Sequence, residues 1–321
     1  MKTFFLHEHS SGIQHLMNDL NRICSLPRRL AVAALVLDVF INASAALEPA
    51  LEPAQEHRIV FGPDSAAQWS AAESTVAVSI ARTRTGSPVL HWHVTVDHFA
   101  GEAAYPIGWP RAHCTLRDAA ARDWSEWDYF QFWIYTDSTR DALPREPVGL
   151  ALHVPDKDAA YRRPLTELKK GAWVQVRIPL SEVPRRHDVR MMQVHISESN
   201  YRHRDRLDFY FDDIVLARYA RPTLLEFAPE CAVAFADVRP LAVTFQLAGV
   251  KADQRVEVVC EMRQGGNIVA RTAIQAGRGP QRVVLDRSGV SLPEGDYEVL
   301  ARVQGGAEAE TRIRLVESPW K

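Results

Sequence analysis

Three short stretches of alternating sequence carry side chains suited to a polar, ring-shaped ligand. In residues 129–136 the alternation puts Phe130, Phe132 and Ile134 on one side of an extended chain and Gln131, Trp133 and Tyr135 on the other, because successive strand side chains point to opposite faces. The same reading turns Val148, Leu150, Leu152 and Val154 inward with His153 outward, and Met192, Val194 and Ile196 inward with Gln193 and His195 outward. The inward sets make an ordinary apolar core. The outward sets, joined by Tyr210 of a further strand, are unusual for a face that only meets water. A sugar presents an apolar C–H face rimmed by hydroxyls, so its surface partner needs a flat aromatic beside amides and imidazoles. Trp109, in the loop Tyr105-Pro-Ile-Gly-Trp-Pro-Arg111, has no apolar periodicity to explain it and adds an exposed platform. The ligand class expected from these eight residues is a polysaccharide or glycoconjugate.

Other chemistry is thinly represented. There is no Gly-x-Ser-x-Gly elbow, no His-Glu-x-x-His and no glycine-rich phosphate loop. A pair of glycosidase carboxylates is defined by its separation in space, and Glu198 is the acid nearest the proposed outward face. His91 and His93 share one outer face and could chelate a metal, but the sequence offers no third ligand, so they read as solvated surface histidines. Trp69, Trp92, Trp124, Trp127 and Trp173 read as packing residues.

The elements that must position these groups sit in a chain of 321 residues, 46% hydrophobic and 24% charged, with 40 acids against 38 bases. Such a composition excludes a disordered or multi-pass membrane protein, and the absence of a basic block removes the electrostatic footprint of nucleic-acid binding. Arg28 and Arg29, the apolar run Leu30–Leu37 and the small residues Asn42-Ala-Ser-Ala45 follow the order of a secretory signal cleaved after Ala45, with too short a run for a stable membrane span. The histidines at 7, 9 and 15 lie upstream of that cleavage. Secretion, or residence in a periplasm or cell envelope, is the expectation, and in an oxidising compartment Cys231 and Cys260 could pair. Residues 46–56 read as a proline-containing linker. From 57 to 220 short alternating strands suggest two packed antiparallel sheets, and after Arg221-Pro222 about six or seven more strands have the size of an immunoglobulin-like sandwich, with Gln264-Gly-Gly-Asn267 as a hairpin turn. The expected fold is all-β: an N-terminal jelly roll and a smaller C-terminal immunoglobulin-like domain.

The motifs Phe61-Gly-Pro-Asp64 with Trp69, Asp123-Trp-Ser-Glu-Trp-Asp-Tyr-Phe130 leading into Phe132-Trp-Ile134, Gly171-Ala-Trp-Val-Gln-Val-Arg-Ile-Pro-Leu180 and Asp208-Phe-Tyr-Phe-Asp-Asp-Ile-Val-Leu216 occur in an order and spacing that resembles the galactose-binding-domain-like sandwich modules, many of them carbohydrate-binding modules of secreted glycosidases. The resemblance covers about residues 57–219. It implies a jelly roll, often sugar recognition, and a structural calcium ion held near the end of the last strand, here by Asp213 with Asp64. Residues 292–299, Leu-Pro-Glu-Gly-Asp-Tyr-Glu-Val, resemble the late-strand motif of immunoglobulin-like or fibronectin-like accessory domains. The short run Gln193-Val-His195 is similar to a strand motif of jelly-roll polysaccharide lyases, in which His195 would serve as neutraliser or base, Tyr201 or Tyr210 as proton donor, and Arg202 or Arg206 as partner of a uronate carboxylate. The leading expectation is an exported, non-catalytic carbohydrate-binding protein. A structural or adhesion protein without a glycan ligand, and the lyase, stand behind it.

Overall fold

The structure, a computed structural model, describes residues 54–100, 108–156, 159–237, 240–285 and 292–319. The signal segment, the upstream histidines, most of the linker and residues 105–107 of the Trp109 loop lie outside the described residues. No helix among the described residues is long and apolar enough to cross a membrane.

The chain is all-β. In chain order the first sandwich contains β1 (Gln55–Phe61), β2 (Trp69–Ala72), β3 (Thr75–Ser79), β4 (Val89–Thr95), β5 (Arg111–Thr115), β6 (Tyr129–Ser138), β7 (Gly149–His153), β8 (Tyr161–Pro164), β9 (Trp173–Pro179), β10 (Met191–His195) and β11 (Arg206–Tyr219). One sheet has the order β3-β4-β11-β6-β9, with β1 also paired to β11; the other has the order β2-β5-β10-β7-β8. Neighbouring strands in both sheets run antiparallel, and apart from the consecutive pairs β3-β4 and β7-β8 the chain crosses from one sheet to the other at each step, in the manner of a jelly roll. Strand β11 pairs with β4 through Arg206–Phe211 and with β1 through Ile214–Tyr219. It changes neighbour at a register shift around Asp213, whose φ of 47° lies in the left-handed region that aspartate tolerates better than most residues. The first strand thus begins at Gln55, inside the segment expected to be linker.

Between the sheets lies one apolar cluster. Trp92, Phe130, Phe132, Ile134, Leu207 and Phe209 of one sheet meet Ala112, Cys114, Leu150, Leu152, Met192 and Val194 of the other, all without solvent exposure. The inward positions expected for the three alternating strands are all buried, and all but Val154 belong to this core. Burying a side chain such as Leu150 or Phe132 contributes about 1.5–3 kcal/mol of transfer free energy.

The second sandwich contains β12 (Thr223–Pro229), β13 (Val233–Phe235), β14 (Ala242–Ala248), β15 (Val256–Gln264), β16 (Asn267–Ala276), β17 (Gly279–Val284), β18 (Gly295–Val303) and β19 (Glu308–Val316). Its sheets have the orders β12-β14-β17 and β13-β19-β18-β15-β16, an immunoglobulin-like pattern in which β13 runs parallel to β19. Gly265 and Gly266, with φ of 54° and 84°, make the tight hairpin between β15 and β16, since a turn with both central residues at positive φ suits glycine. Tyr297 donates its hydroxyl to the Pro293 carbonyl at 2.7 Å, the corner contact typical of such sandwiches. Cys260 is buried in this core while Cys231 is exposed, and both are free, as is the buried Cys114. The pairing considered for Cys231 and Cys260 is therefore absent.

A buried ion pair ties the two sandwiches. Asp128 precedes β6, and its Oδ1 accepts from Arg278 Nη2 at 2.7 Å and Nε at 3.0 Å; its Oδ2 accepts from the backbone N–H groups of Tyr219 and Gly249, each at 3.0 Å. Four donors on one carboxylate offset the cost of burying its charge.

Candidate functional site

The side chains expected to form one surface form two. Gln131, Trp133 and Tyr135 of β6 and Tyr210 of β11 lie on the outer face of the sheet β3-β4-β11-β6-β9, whereas His153 of β7 and Gln193 and His195 of β10 lie on the outer face of β2-β5-β10-β7-β8. The alternation marks each residue as outward, and a sandwich has two outsides. Trp109 belongs with the histidines, because it leads directly into β5. This corrects the expectation of a single mixed cluster on adjacent strands.

The face with the histidines is a continuous surface. Gln193 sits at its centre, opposite His113 of β5 on one side and Ala151 of β7 on the other. His195 stands between Arg111 and Gly149. The absence of a side chain at Gly149 lets the imidazole lie over the strand: a Cβ there would be 2.4 Å from His195 Nε2. Trp109, 39% exposed, meets the His195 ring edge-on at 5.5 Å between centroids, and the Arg111 guanidinium lies 5.1 Å from the indole centre. A cleft of about 240 Å³ opens beside His195, lined by Gly149, Arg162, Pro164, Ser197 and Asn200 among others.

Three imidazoles on this face are pushed toward the uncharged form. Burial, then the charge of Arg162 and the neighbouring His113, lowers the pKa of His153, against a weaker pull from Gln193. Burial, then Arg162 and His153, does the same for His195, and burial with Arg111 for His113. His153 Nε2 and His195 Nδ1 are buried and have no hydrogen-bond partner among the described residues. Gln193 itself is 8% exposed, so it lies at the floor of the surface. Sequence reading missed His113, Arg111 and Arg162, because β5 (Arg-Ala-His-Cys-Thr) and β8 (Tyr-Arg-Arg-Pro) hold too few large apolar residues to show a period.

The opposite face is already occupied by its own side chains. Tyr210 stacks on His91 at 4.4 Å with 6° between planes and meets Tyr135 edge-on, and Tyr135 lies 5.7 Å from Trp173. The segment between β3 and β4 lays Arg82 over Tyr135 at 5.5 Å and Arg84 over Trp133 at 4.8 Å. These cation–π contacts cover one face of each ring, and Trp133 and Tyr135 are half-buried where Trp109 is exposed. Tyr210 and Gln131 are buried, and Gln131 Oε1 has no partner there. On the same face His91 Nε2 and His93 Nδ1 each lie 2.8 Å from Asp208 Oδ1. Burial raises the Asp208 pKa, but the hydrogen bonds from His93 and His91 outweigh it and hold the carboxyl below its usual range. Asp208 is a third side chain beside the two histidines that the sequence did not reveal; it lies on a strand more than a hundred residues away and faces His93 only through the ladder between β4 and β11.

Of the residues expected to hold calcium only Asp213 is placed, since the side chain of Asp64 lies outside the described residues. Asp213 is ion-paired with Arg84, and Arg84 Nε lies 3.4 Å from Asp212 Oδ2, so one guanidinium faces both carboxylates. The tyrosines of the lyase reading are engaged elsewhere. Tyr201 is buried and donates its hydroxyl to the Pro147 carbonyl at 2.7 Å, and Tyr210 is on the face opposite His195. Glu198 is buried, accepts from the Asp97 N–H at 3.0 Å, and has its pKa raised chiefly by burial, with Glu73 nearby adding to the effect.

No protein-family model and no curated protein matches the chain. Among solved structures the chain is similar to a β-1,2-glucanase from Parabacteroides distasonis, with 11% identity, a TM-score of 0.34 and coverage of 78% of this chain and 37% of that one. It is also similar to a family 22 carbohydrate-binding module of Clostridium thermocellum Xyn10B, at 14% identity and a TM-score of 0.27 over 50% of this chain and 91% of that one. A β-glucuronidase from glycoside hydrolase family 2 gives 10% identity and a TM-score of 0.25 over 84% and 31%. The chain thus spans little more than a third of the glucanase and less than that of the glucuronidase. Overlap of this size carries no information on ligand or reaction.

Proposed function

We propose that the chain is an exported, non-catalytic carbohydrate-binding protein whose glycan lies across the outer face of β2-β5-β10-β7-β8. Trp109 stacks on the apolar face of a sugar ring, and His113, His153, His195 and Gln193 exchange hydrogen bonds with its hydroxyls. The reading agrees with the resemblance of residues 57–219 to galactose-binding-like modules. The observation that carries it is the juxtaposition of an exposed indole with half-buried imidazoles held toward the uncharged form, two of whose nitrogens lack partners among the described residues. An unmet buried nitrogen costs about 1–3 kcal/mol, and a ring rotation that turns it toward a bound hydroxyl recovers that cost. Uncharged imidazoles act as both donor and acceptor, matching hydroxyls, which also do both.

Affinity electrophoresis against a panel of neutral polysaccharides, followed by calorimetry on those that retard the protein, tests this. Trp109→Ala is expected to weaken binding roughly tenfold, the equivalent of about 1.4 kcal/mol. Trp133→Ala, on the other face beneath Arg84, is expected to leave it unchanged. Retardation by no glycan, or a loss caused by Trp133→Ala alone, would overturn the assignment.

A further inference from the structure

We propose that His91, His93 and Asp208 form a binding site for a divalent ion of the late first transition series, zinc being the natural probe. This site is on the outer face of β3-β4-β11-β6-β9 and is independent of the glycan surface. His91 and His93 occupy alternate positions of β4 and therefore project on the same side. Asp208 is the direct cross-strand partner of His93 on β11. One ligand atom from each of the three lies within 4.8 Å of the others, and both nitrogens are 2.8 Å from a single carboxylate oxygen. In a tetrahedral shell with bonds of about 2.0–2.1 Å, ligand atoms stand about 3.3 Å apart, so small side-chain rotations admit the ion.

The surroundings hold these rings in place. The His91 ring is stacked flat on Tyr210, and His93 Nε2 lies 3.2 Å from Thr95 Oγ1. When the ion takes the Nδ1 lone pair of a neutral His93, the ring proton resides on Nε2 and is donated to the Thr95 hydroxyl, the outer hydrogen bond that metal-bound histidines ordinarily make. His91 likewise binds through Nε2 and carries its proton on Nδ1. Two imidazoles and one carboxylate select zinc, copper, nickel, cobalt or iron over calcium or magnesium, which demand oxygen. The three side chains remain 22%, 34% and 31% exposed, which leaves the fourth position to water or to an oxygen of an incoming ligand.

The test is titration of the full chain with Zn²⁺ by calorimetry, and with Co²⁺ while the visible absorption of the ion is followed. The panel comprises wild type, His93→Ala, Asp208→Asn and a control carrying His7→Ala, His9→Ala and His15→Ala, each checked for a native circular dichroism spectrum. One equivalent that persists in the control, disappears with His93→Ala and weakens tenfold or more with Asp208→Asn is the expected result. The Co²⁺ bands should follow the same pattern, and excess Ca²⁺ should not displace the ion. Because Asp208→Asn keeps the side-chain shape, it remains informative if His93→Ala is misfolded. Zinc stoichiometry and affinity unchanged in both site variants would overturn the site and leave a histidine–aspartate–histidine hydrogen-bonded trio.

Discussion

His113, His153 and His195 face one another's neighbours and two arginines, and each is held toward the uncharged form chiefly by burial. The sign of the pH effect follows. In the unfolded chain these imidazoles titrate near 6.5, and in the folded protein lower, so between those values the unfolded chain binds more protons and stability rises with pH. Their contribution is complete above about pH 6.5 and is lost as the pH falls through that value toward the folded pKa. Thermal unfolding followed between about pH 5 and 8 should therefore show a falling midpoint on acidification. A variant with all three residues changed to glutamine should show a flatter profile over the same range; an unchanged profile would contradict the assignment of burial to these rings. At the same scale, the sequence displayed each outward residue correctly and could not display that Trp133 and Tyr135 are roofed by Arg82 and Arg84, since no period links a loop side chain to the strand beneath it.

Among the elements, the strands with strong apolar alternation were legible and those without it were not. β6, β7 and β10 each show their core side in the sequence, yet the pairing that sorts them into sheets runs through β5 and β11. β5 buries only Ala112 and Cys114, too little apolar pattern to announce a strand. The error in the expected site arose there: without β5, nothing separates β10 from β6. The strand β7 has its own device in Gly149, which leaves room for the imidazole of His195. Gly149→Ala should displace that ring and weaken glycan binding about tenfold, while stability changes by less than about 1 kcal/mol, because alanine suits a strand and the obstructing group is the far end of a side chain that can rotate. Calorimetry of binding together with urea unfolding checks both halves; a large fall in stability with unaltered affinity would contradict this role for the glycine.

At the largest scale, the described residues make two sandwiches joined by a buried, fully hydrogen-bonded carboxylate at Asp128, a contact invisible in a sequence that separates Asp128 from Arg278 by 150 residues. A cavity of about 510 Å³ lies at this junction beside Arg278 and Asp128, and no tryptophan lines it. Function is therefore assigned by face: one face of the first sandwich is closed over by its own arginines, and the other presents Trp109 and the histidines. Imidazole nuclear magnetic resonance tests that division most directly. With the side chains of histidine isotopically labelled and a retarding oligosaccharide added to saturation, the ring signals of His113, His153 and His195 should shift while those of His91 and His93 stay in place. Shifts confined to His91 and His93, or no shift at His153 and His195 under saturating ligand, would contradict a glycan on the β2-β5-β10-β7-β8 face.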